Sequence, residues 1–491
     1  MTEPQWVRHS IWWHVYPLGF VGADITGRER HPSADALGHP RTMRALIDWL
    51  DYIVDVGLNA IALGPIFRSA THGYDTLDFF DIDERLGTID DFSALVSACH
   101  ARGVRIMLDG VFNHVGRDFP CHESLTKATV FEGHEQLVEL DHDNPAVADL
   151  VVDVMVHWAD QGIDAWRLDA AYSVNPEFWA TVLPRVRERH PQLYVVGEVL
   201  HGDYPDMVEA SGMDSCTQYE LWKAIWSGLL DRNMFELEWS LRRHNELLLR
   251  FVPWTFVGNH DVTRLASRLD DQRLLPHALV LLMTIGGTPA IYYGDEQAFR
   301  GIKEERVGGD DEIRPAFPAK AEDLAPFGWP IYRLTQRLVA LRRQHPWLHR
   351  ASSATVHLTN EEYAYRVEAE GHSLTIVLNL KPVAVTIPVP GPRLSAVVVG
   401  SAGSSAGFAD APDIPDVAGA ARTADEGRAS GDVVLGDVLR CDVTPDVVPR
   451  DVDLSHVDLS DVDLADDLHR CAVVDDGTAV VVPAYGWAIC R

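Results

Sequence analysis

Basic residues are in short supply in this chain. Its 491 residues hold 42 Lys and Arg against 73 Asp and Glu, a formal net charge of −31. Nucleic acids and anionic membrane surfaces are recognised through basic patches, so neither is an expected partner. Cysteine is also sparse. The six present (Cys99, Cys121, Cys216, Cys441, Cys471 and Cys490) show no CxxC or metal-like spacing. They read as free thiols of a reducing compartment, and no metal site is expected from them. No apolar run is long enough to span a bilayer. Met1 to Ser10 has no basic-then-apolar leader pattern. A cytoplasmic location is the resulting expectation, and any polymer-derived substrate would arrive as small imported oligomers. No glycine-rich phosphate-binding loop follows the first apolar run.

What is present is ample apolar material, 46% of the chain, arranged in a regular alternation. Compact apolar runs at Ile11–Pro17, Leu58–Leu63, Val104–Asp109, Ile163–Asp169, Tyr194–Glu198, Trp254–Gly258 and Pro289–Tyr293 predict strands, with a further strand near Cys216–Tyr219. Between them, Thr42–Asp55, Asp91–Gly103, Val147–Gln161 and Glu177–His190 have helical spacing. Each is long enough for a crossover, which predicts a parallel sheet. Eight such units give an α/β fold, a (β/α)8 TIM barrel over residues 1–345, with a doubly wound open sheet as the alternative. The missing glycine loop weighs against the open sheet. Leu334–His345 would be the last barrel helix. Beyond it, Tyr363–Val367, Ser373–Leu380 and Ala479–Ile489 predict a C-terminal antiparallel β domain over residues 346–491. An acidic low-complexity insert at about 400–470 interrupts that domain. It contains consecutive Val-Asp-Leu repeats from Val452 to Asp466. So few copies read as a solvated excursion rather than a coil of stacked turns.

The chemistry-bearing residues fall at strand ends. In Gly162–Ala171, Arg167 and Asp169 are two apart, so in a strand they share one side, while Trp166 and Leu168 face the other. An ordinary ion pair would explain these two alone. Similar polar clusters, however, follow most of the other strands: His72-Gly-Tyr-Asp75, Asp109 to His114, Gly197-Glu198 and Gly258-Asn-His-Asp261. Ligands of parallel α/β folds bind at the carboxyl ends of strands. So many carboxylates at one end would repel one another unless a function required them.

Here the sequence resembles the α-amylase family of retaining glycoside hydrolases and transglycosidases. Its signature regions correspond to Asp109-Gly-Val-Phe-Asn-His114, Gly162 to Asp169, Gly197-Glu198 and Phe256 to Asp261. Gly57–Pro65 and Gly286–Glu296 match further regions, and the likeness covers roughly residues 10–345. The resemblance implies Asp169 as nucleophile, Glu198 as general acid/base and Asp261 as a third carboxylate that grips and distorts the sugar. It implies that Arg167 keeps Asp169 ionised, that His114 and His260 bond sugar hydroxyls, that Tyr74 is a stacking platform, and that Asp109 supports Arg167. Retention needs two carboxylates about 5–5.5 Å apart with their pKa values split. A cation beside Asp169, with none adjacent to Glu198 in sequence, predicts a lowered nucleophile and a raised acid.

Several positions depart from the family. The insertion after the third strand, domain B at about 115–143, is short. Asn113 matches a family calcium ligand. The Lys-His that calcium-binding members carry shortly after the nucleophile is replaced by Tyr172-Ser173, so no cofactor is expected. Glu139-Leu140-Asp141 matches poorly the fifth signature of cyclodextrin-degrading members. Asp75, by resemblance to members acting on short chains, would pair with Arg314 to clamp the outermost sugar. Ala170 after the nucleophile leans toward α-1,4 linkages. The expected partner is a small oligosaccharide, with no nucleic acid, no membrane and no oligomeric state indicated. The expected activity is hydrolysis of short malto-oligosaccharides or of cyclic or branched dextrins. A transglycosidase or isomerase, such as a glucanotransferase or a trehalose synthase, would use the same residues, and a non-catalytic scaffold relative is the third reading.

Overall fold

A computed structural model describes residues 3–35, 38–120, 122–306, 308–391, 393–394, 396–401, 471–474 and 477–491. The acidic insert with its repeats, and Cys121 and Cys441, lie outside the described residues.

Eight parallel strands form one sheet. They are β1 (Trp12–Val15), β2 (Ala60–Leu63), β3 (Arg105–Gly110), β4 (Ala165–Leu168), β5 (Tyr194–Gly197), β6 (Ser215–Cys216), β7 (Trp254–Phe256) and β8 (Thr288–Tyr292). Hydrogen-bonded neighbours run β6-β5-β4-β3-β2-β1-β8-β7. A parallel bridge from Thr217 to Trp254 joins the two open edges. The sheet is therefore a closed barrel, not the doubly wound alternative. The further strand expected near Cys216–Tyr219 forms as Ser215–Cys216, only two residues long.

The side-chain period of two sorts the barrel. Trp12, Ala60, Ala62, Met107, Ala165, Tyr194, Val196, Trp254, Phe256 and Ala290 fill its interior. Trp13, Ile61, Leu63, Ile106, Leu108, Trp166, Leu168 and Val195 pack outward in the main core with the helices. Continuing the inward parity toward the carboxyl ends reaches His14, Asp109, Arg167, Asp169 and Glu198 in turn. The strands thus deliver these groups to one mouth.

The predicted helices form with small shifts. Thr88 and Asp91 make a capping box that starts Ile89–Ala101 two residues ahead of the expected Asp91. Pro145 and Pro176 open the next two helices, where a missing N–H costs nothing. The expected helix at Thr42–Asp55 begins as a 3-10 turn, Met43–Trp49, before the α-helix Leu50–Val56.

After β3 the chain forms a small antiparallel sheet of His114–Gly116, Leu137–Leu140 and Thr126–Val130. After β8 a long connection carrying Arg314 precedes the helix Trp329–Gln344. The C-terminal part is two antiparallel sheets. The single strand expected at Ala479–Ile489 is instead two, Ala479–Val482 and Trp487–Cys490, one in each sheet. Pro483 has no N–H to extend a ladder, and Tyr485 turns the chain at φ 50°.

The hairpin Phe67–Ser69/Thr76–Ile82 after β2 holds His72 to Asp75 at the barrel mouth. Its anchor is Arg85, fully buried. Arg85 donates to both carboxylate oxygens of Asp83 (2.7 and 2.6 Å), to Ser69 Oγ and to the carbonyls of Asp24 and Thr71. Removing one partner of a buried pair strands the other charge. Arg85→Met is expected to lower stability by about 3–5 kcal/mol, measured as a fall in the urea unfolding free energy. A loss below 1 kcal/mol would contradict this anchoring role.

Candidate active site

Register sets the centre of the site. Arg167 on β4 lies directly across from Asp109 on β3. Its Nη1 donates to Asp109 Oδ2 at 2.5 Å and to Asp169 Oδ1 at 3.3 Å, while Nη2 reaches Glu198 Oε1 at 2.6 Å. One guanidinium therefore touches three carboxylates, all nearly inaccessible to solvent. Such a group survives burial only because the cation offsets the mutual repulsion.

Glu198 is held from two further sides. Its Oε2 accepts from the Ala170 N–H at 3.0 Å, and its Oε1 accepts from the Tyr219 hydroxyl at 3.1 Å. Tyr219 in turn accepts from Asn259 Nδ2 at 2.7 Å. Ala170 has φ 45°, a left-handed conformation that costs a non-glycine residue roughly 1–2 kcal/mol. That turn follows Asp169 and aims the Ala170 N–H at the neighbouring carboxylate.

Asp261, a third of whose side chain is exposed, stands at the rim. Its Oδ2 lies 2.9 Å from His260 Nε2, and its Oδ1 accepts from Arg314 Nη2 at 2.8 Å. Arg314 also donates to the His260 carbonyl at 2.8 Å and pairs with Asp310 at 3.0 Å. Its guanidinium sits 4.7 Å from the centre of the Tyr16 ring. The Tyr74 hydroxyl bonds Asp109 Oδ2 at 3.2 Å and also His260 Nε2. The rings of Tyr74 and His260 lie parallel with centroids 5.4 Å apart. His114, the first residue of the small sheet, stacks on Phe131, just past its strand Thr126–Val130, with centroids 4.7 Å apart. Its Nε2 is buried without a hydrogen-bond partner among the described residues, whereas its Nδ1 meets the Asn113 amide at 3.1 Å.

The electrostatics overturn one expectation. Burial, and then the charge of Glu198, push the Asp169 carboxyl well above the ordinary aspartate range, against the pull of Arg167. Arg167 is also closer to Glu198 than to Asp169. The cation two residues from Asp169 is thus not its private partner, because the strand brings Arg167 equally within reach of β5. Burial likewise raises Asp109, with Arg167 opposing. For Asp261, burial would raise the pKa, but His260, Arg314 and Arg167 outweigh it and hold the group well below the usual range. Burial lowers His114 to about 4, so its imidazole is neutral near pH 7.

The structure brings Asp109, Arg167, Asp169, Glu198, Tyr74, His114, His260, Asp261 and Arg314 around one mouth. The expected Asp75–Arg314 clamp does not form. The Asp75 carboxylate is buried and accepts from the N–H and hydroxyl of Thr71 at 3.0 and 2.5 Å, while Arg314 is committed to Asp261 and Asp310. The hairpin turn closes on Asp75 locally before it can reach Arg314. Sequence reasoning missed Tyr219, Asn259 and the Ala170 N–H. Tyr219 follows the shortest strand, and Asn259 stood unassigned inside a recognised motif. Among the described residues, no group of three or more His, Cys, Asp or Glu side chains is placed to hold a metal.

Comparison with known proteins agrees with this geometry. The α-amylase catalytic-domain model matches residues 14–132 and 126–330. A cyclomaltodextrinase of Geobacillus thermopakistaniensis is 28% identical over 432 residues, spanning 79% of this chain and 71% of the relative. An intracellular maltogenic amylase of Bacillus subtilis is 29% identical over 380 residues, 70% of this chain and 63% of the relative. Among solved structures, the cyclic α-maltosyl-(1→6)-maltose hydrolase of Arthrobacter globiformis superposes with a TM-score of 0.67 at 26% identity, covering 79% of this chain and 94% of that one. A barrel closed by eight parallel strands, with acidic groups gathered at their carboxyl ends and a family match over most of that barrel, identifies the chain as a glycoside hydrolase of the α-amylase family.

Proposed function

We propose that this protein is a retaining α-glucosidic hydrolase of short malto-oligosaccharides and cyclic dextrins. Asp169 is the nucleophile, Glu198 the acid/base and Asp261 the third carboxylate. The observation that carries the reading is the single guanidinium of Arg167, which binds Asp109, Asp169 and Glu198 together at the barrel mouth. Protonated Glu198 gives its proton to the glycosidic oxygen while Asp169 attacks the anomeric carbon. The leaving sugar departs and a covalent glycosyl-enzyme remains. Glu198 then takes a proton from water, which displaces Asp169. The developing positive charge is stabilised by Asp261, which Arg314 and His260 keep ionised. The buried free Nε2 of His114 and the Tyr74 ring suit hydroxyl bonding and stacking of the sugar. This cycle needs the proton on Glu198 and the charge on Asp169. Sugar binding must therefore move Arg167 off Glu198 and onto Asp169, which it already contacts at 3.3 Å.

The substrate class follows the relatives named cyclomaltodextrinase, maltogenic amylase and neopullulanase. A location inside the cell follows the relative named intracellular, and among the described residues no helix is long and apolar enough to cross a membrane.

Cyclodextrin and maltotriose should be hydrolysed faster than starch, with the α-anomer of the new reducing end appearing first by NMR. Faster starch cleavage would refute the substrate class, and β-anomer first would refute retention. Transfer products exceeding hydrolysis products at low maltotriose would favour a transglycosidase. Asp169→Asn and Glu198→Gln should each reduce kcat by at least about 10²–10⁴-fold.

A pH prediction follows from the raised Asp169. A group with a raised pKa loses its anion as pH falls, at a higher pH than an ordinary aspartate. The acidic limb of kcat/KM should accordingly lie above the usual aspartate range. Glu198→Gln removes the negative neighbour, so its limb, read with an α-glucosyl fluoride that needs no acid, should move to lower pH. A limb that stays or rises would show that Glu198 does not set the Asp169 titration.

We also propose that no calcium is required. The Asn113 side-chain NH2 meets His114 Nδ1, and its main-chain carbonyl accepts from the Leu140 N–H, which ties this residue to the small sheet. EDTA treatment should leave both kcat and the melting temperature unchanged, and a drop in either that calcium restores would reverse this reading.

A further inference from the structure

A cavity of about 910 Å³ opens on the amino-terminal face of the barrel, opposite the carboxylates. Ile11, Asn59, Val104, Ile163 and Leu193, at or just ahead of the starts of β1 to β5, line it, and the end of the helix Trp329–Gln344 closes one side. Its lining is the inverse of the chain as a whole. Five arginines and five histidines meet two aspartates, within a protein of net charge −31. Both aspartates are already taken. Asp160 pairs with Arg189 and His190 at 2.8 and 2.9 Å, and Asp164 with Arg105 and His100 at 2.7 and 3.3 Å.

Arg342 and Arg343 are left without a carboxylate among the described residues. Arg342 is 6% exposed and donates only to the carbonyls of Met283, Ile285 and Gly287. Arg343 donates through Nε to the Gly57 carbonyl at 2.6 Å, and its Nη2 is buried with no partner. Burial alone pulls their pKa values down, to about 9 and about 10. Basic residues in a last helical turn suit the helix dipole and orphan carbonyls. That explains their position but not a buried charge at Arg342 and a half-buried one at Arg343, neither with a carboxylate among the described residues, an arrangement that is unfavourable.

We propose that this cavity is a binding site for a small phosphate-bearing metabolite whose dianion supplies the counter-charge missing at Arg342 and Arg343. Arginine is suited to bidentate phosphate contacts. The volume matches one small molecule, and the overall negative charge repels large polyanions. Trp6 on the cavity wall holds the Arg105 guanidinium 5.0 Å from its ring centre. The inference is independent of the substrate reading given above.

The test uses the full chain, with inorganic phosphate and glucose 6-phosphate as probes and glucose, citrate and sodium chloride of equal ionic strength as controls. A ligand that binds only the native state raises the melting temperature in proportion to its concentration over Kd. Glucose 6-phosphate is expected to raise it in a dose-dependent way and to titrate calorimetrically at one site per chain, with phosphate weaker and glucose inert. Saturating maltose should not displace it. Arg343→Gln should weaken binding at least tenfold and Arg189→Ala several-fold, both with native circular dichroism. A shift no larger than that of sodium chloride, an effect of citrate without one of the phosphates, displacement by maltose, or unchanged affinity in both variants would each overturn the proposal.

Discussion

The contact between the Arg167 guanidinium and three buried carboxylates is the constraint on which the rest of this structure depends. Asp109, Asp169 and Glu198 come from β3, β4 and β5, and without the cation their charges would drive the barrel mouth apart. The contact exists because β3 and β4 pair in a register that sets Arg167 opposite Asp109. A one-residue slip would send Arg167 into the helix layer and Trp166 into the barrel. Parallel pairing, inward parity and the acidic centre are therefore one requirement seen at three scales.

Around that centre the connections provide restraint rather than charge. The short sheet after β3 brings Phe131 over His114. The long connection after β8 brings Arg314 to Asp261. The hairpin after β2, anchored by Arg85 on Asp83, brings Tyr74 to Asp109 and His260. Strand ends supply the reacting groups and loops aim the groups that surround them, a division common to barrels of this kind.

The two ends of the barrel have opposite electrostatic character. At the carboxyl ends, carboxylates converge on a shared cation. At the amino ends, arginines and histidines surround a cavity in which Arg342 and Arg343 have no carboxylate partner among the described residues. Arg105 and Asp109 stand at opposite ends of the same strand, as do Asp164 and Arg167 of the β4 run. Each strand thus begins in one environment and finishes in the other.

Much of this was legible in the amino-acid order. Apolar runs of strand length separated by crossover helices specify a parallel barrel, because only buried parallel strands read that way. The two-residue spacing of Arg167 and Asp169 placed both on one face, and the spacing of the acidic clusters placed them at strand ends. What the order could not contain is distance across the fold. It set Arg167 beside Asp169 along the chain, and the barrel then carried it closer to Glu198, so that burial and the charge of Glu198 raise Asp169 where a lowered group was expected. Asp75 and Arg314 looked complementary, but a tight turn closed Asp75 on Thr71 and Asp261 claimed Arg314. Tyr219 gave no signal, since its meaning lies in a hydroxyl 3.1 Å from a residue on another strand. Local periodicity and residue type are properties of the chain and determine which elements form. Which charges meet is a property of three-dimensional proximity, where Coulomb energy and desolvation act without regard to sequence separation.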